Sequence, residues 1–172
     1  LLPGRLKFIK DFSDTSKPVG AAFNNPSLIS QDGMEANTKQ WRNAEIPAAN
    51  GHGTARSIAK LYGILANGGS RDGIHVLKPE TIEMSRLPQS EGKDLVLGGM
   101  NTKFGLGFML GNENISMGPN IKSFGHGGAG GSLGFCDPDN HVSLGFVMNQ
   151  MHPGITAWKT ATDLASSVYK SL

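Results

Sequence analysis

The sequence holds a single cysteine, Cys136, so an intramolecular disulfide is excluded and a reducing, cytoplasm-like compartment is the expectation. No run of Lys or Arg exceeds a pair, and the formal net charge is only +2. The electrostatic footprint of a nucleic-acid binder is therefore missing. No apolar run nears the ~20 residues that cross a bilayer, so no membrane span is expected. A charged-then-apolar leader is also lacking, and the chain starts at Leu1, as a processed or truncated product would. The five histidines, His52, His75, His126, His141 and His152, have no metal-ligand spacing and no Cys pair beside them. That argues against zinc, and no cofactor is expected.

What the chain does have is glycine, 24 residues in 172, about twice the usual share and concentrated after residue 98. The richest stretch, residues 122–150, reads KSFGHGGAGGSLGFCDPDNHVSLGFVMNQ. Its end alternates, with Val142, Leu144, Phe146 and Met148 on one side and Ser143, Gly145 and Val147 on the other. A period of two predicts a strand over 142–148. Leu133 and Phe135 alternate in the same way ahead of Asp137-Pro138-Asp139-Asn140. There Pro138 suits the second turn position and Asn140 can take a left-handed conformation, so a hairpin is expected. A third strand precedes it at Ser123-Phe124-Gly125-His126. The run 127–131 then lets backbone approach a ligand or another strand closely.

The length suits one domain or a large part of one. Residues 1–53 show little periodicity and read mostly as loop with one short helical turn, anchored by Trp41 and Ile46; 12–41 would suit a pocket wall. Thr54 is a good N-cap for a helix carrying Ile58, Leu61, Tyr62 and Leu65, closed by Asn67-Gly68-Gly69. A shorter helix starts at Pro79. Phe104, Leu106, Phe108 and Leu110 alternate with Gly105, Gly107 and Met109, which predicts one strand. A last helix runs over 156–172, with Ala161, Leu164, Ala165, Val168 and Leu172 in one stripe. Its small residues suit the glycine-bearing face of the sheet.

Three motifs fail on context. The glycine run lacks the Lys-Ser/Thr ending of a phosphate loop and leads into a strand. The segment 130–134 fits Gly-x-Ser-x-Gly around Ser132, but a nucleophile elbow needs a strand-to-helix turn, and here a strand follows. Ser57/Lys60 and Ser167/Lys170 both fit Ser-x-x-Lys. A pattern that fixes two positions is cheap, and both pairs read as solvent-facing residues of amphipathic helices. His126 stands out, because it leads the glycine run from a strand edge.

The segments TARSIAKLYGILANG (54–68), FGLGF (104–108) and 124–149 together resemble the C-terminal part of the serine β-lactamase-like family. That group spans class C β-lactamases, DD-peptidases and related serine esterases. The resemblance runs from about Ile46 to the end, and FGHGGAGGSLGF is its most specific part. In the esterase-like members the third motif reads His-x-Gly, here His126-Gly127-Gly128.

The resemblance implies an α+β, partial β-lactamase/transpeptidase-like fold, with antiparallel strands, packed helices and part of a helical region. Residues 1–172 would be the C-terminal portion of one such domain, with about 1–100 helical or loop and about 101–172 the sheet strands plus the C-terminal helix. His126, Gly127, Gly128 and Ala129 would line the site, with His126 orienting substrate or a catalytic tyrosine and the Ala129 N–H facing an oxyanion. The family's nucleophile and base sit in Ser-x-x-Lys and Tyr-x-Asn motifs N-terminal to the matched region. No Tyr-x-Asn occurs in the chain, so no catalytic residue is assigned within it. The implied function is the C-terminal half of a serine hydrolase acting on small esters or amides through an acyl-enzyme, inactive in this form. The alternative is a non-catalytic remnant serving as an interaction or structural module. The strand at 142–148 contains no Lys, Pro or charge to blunt it, so self-association, or an N-terminal segment bound along it, is expected there.

Overall fold

The computed structural model describes residues 10–24, 34–113, 115–152 and 159–172. These fall into two compact units, one within Leu1–His52 and Lys93–Met100, the other within Gly53–Gly92 and Asn101–Leu172.

The first unit is richer in helix than its sequence suggests. Helix α1 spans Pro18–Asn24, a 3₁₀ turn spans Met34–Asn37 and α2 spans Lys39–Asn43. Thr38 caps α2 by accepting the Trp41 N–H. Trp41 is buried, as expected of an anchor, and Ile46 is half-buried. Asn50 ties the two together, donating to the Trp41 carbonyl and accepting from the Ile46 N–H.

The second unit is built on a six-stranded sheet in the order β3-β4-β5-β6-β7-β8. The strands are β3 Ser90–Lys93, β4 Asn101–Phe104, β5 Met109–Leu110, β6 Phe124–Gly127, β7 Leu133–Asp137 and β8 Val142–Phe146. Each neighbouring pair from β4 to β8 is antiparallel. A separate hairpin joins β1 Ser70–Arg71 to β2 Ile74–His75. Its two-residue turn has Asp72 at φ 52° and Gly73 at φ 76°, the left-handed pair that matches strand twist.

Helix α3, Ala55–Ala66, begins where Thr54 predicts, and Thr54 and Ser57 form a reciprocal capping box. It ends as the glycines predict. The Gly69 N–H reaches the Ile64 carbonyl and the Gly68 N–H the Leu65 carbonyl, with Gly68 at φ 73°. Leu61, expected on the inward stripe, is exposed, whereas Ile64, Leu65 and Ala66 are buried. Helix α4, Pro79–Ser85, starts at its proline. Helix α5 is described over Lys159–Tyr169, so the expected start at 156 lies outside the described residues.

Register assigns the two faces. Gly134 opposes Gly145 and Cys136 opposes Ser143 on one face; Leu133, Phe135 and Asp137 point to the other. Helix α3 lies on the glycine face. A Cβ on Gly134 would stand 2.6 Å from the Tyr62 ring, and one on Gly145 would stand 2.4 Å from the Ala55 carbonyl oxygen. The small stripe of α5 therefore does not occupy that face as expected. Instead Ala161 and Ala165 are buried, Leu164 is partly exposed, and Tyr169 reaches Asp137 on the opposite face. Gly145→Ala should cost about 2 kcal/mol, because backbone rather than a movable side chain occupies the space. Urea unfolding followed by circular dichroism checks this.

Between α3 and the sheet lies the main core, formed by Leu65, Ala66, Ile82, Leu110, Phe124 and Cys136, with Tyr62, Leu77 and Phe108 against it. Burying a phenylalanine such as Phe124 contributes roughly 1.5–3 kcal/mol of transfer free energy. Its ring meets Phe108 edge-on at 4.9 Å between centroids.

Three further expectations need correction. The alternation over 104–110 is not one strand but a hairpin, with Phe104 opposite Met109 and Gly107 turning at φ 81°. Among the described residues the sheet has six strands, not four, because β3 is too short and polar to show a period and the run 104–110 is divided between β4 and β5. The left-handed residue of the β7–β8 turn is His141, at φ 54°, not Asn140. Asn140 is held by Asp137, which accepts from both its backbone and side-chain N–H groups.

Candidate functional site: the β6–β7 loop

Strand β6 carries one exposed side chain among buried neighbours. Phe124 is fully buried, and Gly125 leaves no room for a Cβ, which would lie 2.1 Å from the Gly134 oxygen and 2.5 Å from the Phe135 Cα. His126 follows, exposed and directly opposite Gly134, so it projects on the α3 face. Its Nδ1 lies 2.5 Å from the Gly127 carbonyl oxygen. A carbonyl only accepts, so this contact places the proton of a neutral ring on Nδ1 and leaves Nε2 as an outward acceptor. The Phe104 ring lies 5.9 Å away between centroids, tilted by 35°.

Gly127 pairs with Leu133, and the ladder continues one step further, with the Gly128 N–H donating to the Ser132 oxygen at 2.9 Å. The Gly131 N–H donates to the Gly128 oxygen at 3.0 Å, closing the loop on itself. Gly130 and Gly131 take φ of 85° and 113°, so this loop needs glycine at both positions. Met151 packs against Gly130 and the His152 N–H donates to its carbonyl, bracing the loop from the chain after β8. Ala129 is left exposed at the tip, and its N–H has no partner among the described residues.

The four expected site residues thus fall on one strand end and one loop, in different states. His126 offers an acceptor and Ala129 a free donor. Gly127 is buried in the ladder, and the Gly128 N–H is already used. The brace from Met151 and His152 was missed, since nothing local links 151–152 to 130.

The candidate serines stand elsewhere. Ser57 Oγ donates to the Thr54 carbonyl and accepts the Thr54 N–H, both at 2.9 Å, so it serves the cap of α3. Ser167 Oγ donates to the Asp163 carbonyl one turn back. Ser132 lies in the loop just before β7, followed by a strand and not a helix, and its Oγ would meet any Cβ at position 128. Cys136 is fully buried, and that burial pushes its thiol up to about 12, so it is no nucleophile at neutral pH. Among the described residues no three His, Cys, Asp or Glu side chains gather as a metal site, and no helix is long and apolar enough to cross a membrane.

A second polar centre went unseen in the sequence. Asp137 is fully buried on the inward face of β7. It accepts from Tyr169 Oη at 2.6 Å, from Asn120 and Asn140 Nδ2 at 2.8 Å each, and from the Asp139 N–H at 3.0 Å. Burial raises its pKa, but the hydrogen bonds from Tyr169, Asn140 and Asn120 outweigh burial and hold it below the usual value. This carboxylate joins α5, Asn120 and the β7–β8 turn at the end of β7 away from the glycine loop.

Comparison with known proteins agrees with this architecture. Residues 11–166 match the family model described as Beta-lactamase. An esterase/beta-lactamase, LipL, of Mycobacterium tuberculosis is 41% identical over 108 residues, which is 63% of this chain and 24% of that protein. A penicillin-binding protein homolog from Caulobacter crescentus superposes with a TM-score of 0.79 at 38% identity. A family VIII carboxylesterase does so at 0.80 and 35% identity. Each structural match covers 90% of this chain and 40% of the other, so the chain spans well under half the length of these relatives. The α+β arrangement of antiparallel strands and packed helices is thus part of a β-lactamase/penicillin-binding-protein-like fold, and the chain belongs to the beta-lactamase family.

Proposed function

We propose that this chain forms the sheet-side wall of a serine hydrolase site that opens small esters or amides through an acyl-enzyme. The observation that carries the reading is the pairing of a free, exposed Ala129 N–H with His126 on one braced strand end. A preorganised N–H stabilises the oxyanion of acyl transfer because it need not reorient as charge develops. His126 Nε2, with its ring fixed through Nδ1, would orient a hydroxyl donor of the substrate or of a catalytic tyrosine. Gly128, half-buried at the loop entry, stays bare because a Cβ there would stand 2.3 Å from Ser132 Oγ, whereas Gly127 serves the ladder beneath. Nucleophile and base would come from Ser-x-x-Lys and Tyr-x-Asn segments upstream of the matched region. The capped, exposed Ser57 supports placing them there rather than in α3. The relatives named as an esterase/beta-lactamase and a carboxylesterase supply the substrate class.

The test uses a form of the protein that carries those upstream motifs. His126→Ala should lower turnover of a p-nitrophenyl ester about tenfold to a hundredfold, the scale of a misplaced substrate. Its melting temperature should stay within a degree or two, because the side chain is exposed. Parallel losses of rate and folded fraction would make His126 a structural residue and defeat the reading.

A further inference from the structure

At the start of β6, the end away from the glycine loop, lies a cavity of about 290 Å³. Its walls are the end of α4 with Glu83, Arg86 and Leu87, then Lys103 of β4, then Ile121 and Lys122 ahead of β6. All of them belong to the second unit, so the cavity is built within one compact body.

The lining holds three cations, Arg86, Lys103 and Lys122, against one carboxylate, Glu83. The acids that pair with the two lysines, Glu91 and Asp139, stand outside it. Burial sharpens the imbalance. The side chains of Arg86 and Lys103 are 17% and 26% exposed, whereas their partners Glu83 and Glu91 are 70% and 57% exposed. Salt and water screen the exposed carboxylates more than the half-buried cations, and a cleft lined by one sign focuses its field. Arg86 is also held in place. Its guanidinium lies 5.2 Å over the centre of the Phe124 ring, and its two Nη atoms donate to Glu83 and to the Lys122 carbonyl, which leaves other N–H donors for an anion. Beside these charges the surface is apolar, for Leu87 and Ile121 are each 58% exposed at this one cavity.

We propose that this cavity binds a small amphiphilic carboxylate, its head on Arg86 and Lys103 and its hydrocarbon against Leu87 and Ile121. The planar fork of an arginine matches a carboxylate in shape as well as charge. A chain of roughly six carbons suits a cavity of this size. The charge pattern selects against an amine of the same length, and the apolar rim selects against a bare anion. His126 stands at the other end of β6, so the site is separate from the one proposed for hydrolysis.

The test titrates the 172-residue chain with sodium hexanoate, hexylamine and sodium acetate, followed by amide shifts in two-dimensional NMR. Hexanoate should move the amides of 86–87, 103 and 121–123 and bind at least fivefold more tightly than hexylamine, by a margin that narrows as salt rises. Acetate, which lacks the chain, should bind about tenfold more weakly than hexanoate. Lys103→Gln should weaken hexanoate about threefold, and Ile121→Ser should weaken hexanoate while leaving acetate unchanged. Neither change touches the packing of Arg86 on Phe124, so both variants should stay folded. The same preference should hold in the form that carries the upstream motifs. Equal affinities for hexanoate and hexylamine, shifts confined to 126–131, or loss of binding in the longer form would overturn the proposal. None of these outcomes bears on ester turnover by His126→Ala, so the two readings fail separately.

Discussion

Replacing Ala129 by proline should cut ester turnover about 10²–10³-fold in a form of the protein that also carries Ser-x-x-Lys and Tyr-x-Asn, the scale of losing one oxyanion donor. The substitution removes a single N–H. That N–H has no partner among the described residues, so no internal hydrogen bond is lost with it. Ala129 is exposed at the loop tip, and the bonds that hold the loop run through Gly128, Ser132, Gly130 and His152. Stability should therefore change little while KM moves less than kcat, because the donor acts on charge that develops in the transition state. Ala129→Gly, which keeps the N–H, should retain most of the rate. Proline and glycine variants of equal activity would remove Ala129 from the site. Single-turnover acylation rates alongside thermal melts make the distinction.

Asp137→Ala should destabilise the chain by about 3–4 kcal/mol, since it strands several donors around a buried position. Tyr169 Oη, the Asn120 and Asn140 amides and the Asp139 N–H all lose their acceptor together. Tyr169→Phe removes one donor to a buried carboxylate and should cost about 2 kcal/mol. The same carboxylate gives the acid limit of stability. Its native pKa lies below the unfolded value, so its contribution is complete above about pH 4 and fades as pH falls through the native value. Tyr169 acts in the opposite sense. Burial and then Asp137 raise its hydroxyl above 10, so its contribution is present below about pH 10 and is lost as pH rises further. Urea midpoints measured from pH 3 to 10 should show the acid decline in the wild type and its reduction in Asp137→Ala.

Features written in neighbouring residues could be read from the sequence. The Thr54 cap, the Gly68-Gly69 stop, the Pro79 start and the β7–β8 alternation each rest on contacts within a few positions. Features decided by distant packing could not. Gly134 and Gly145 look like ordinary strand glycines until α3, some 80 residues earlier, lies on them. Asp137 reads as a turn former, though its phase with Leu133 and Phe135 already placed it inward. Over 104–110 alternation misled, because large and small residues also alternate through a tight turn at Gly107. The Asp72-Gly73 pair of the small hairpin is a two-residue turn signal carried by neighbouring residues. At the candidate site, the glycine run points to His126, and Ala129 is a candidate through the family resemblance. That the Gly128 N–H is taken up by the Ser132 carbonyl required the closed loop geometry.

Labelling of the 172-residue chain with a fluorophosphonate probe, mapped by peptide mass spectrometry, tests the division between binding wall and nucleophile most directly. The expected result is no serine modified above the heat-denatured control, because Ser57 and Ser167 are engaged with helix backbone and Ser132 has no base assigned to it. Hydrolysis of chromogenic β-lactams and short p-nitrophenyl esters should likewise stay at the buffer rate. Specific labelling of Ser57 or Ser132, lost on denaturation, would contradict this account and place a nucleophile within the chain.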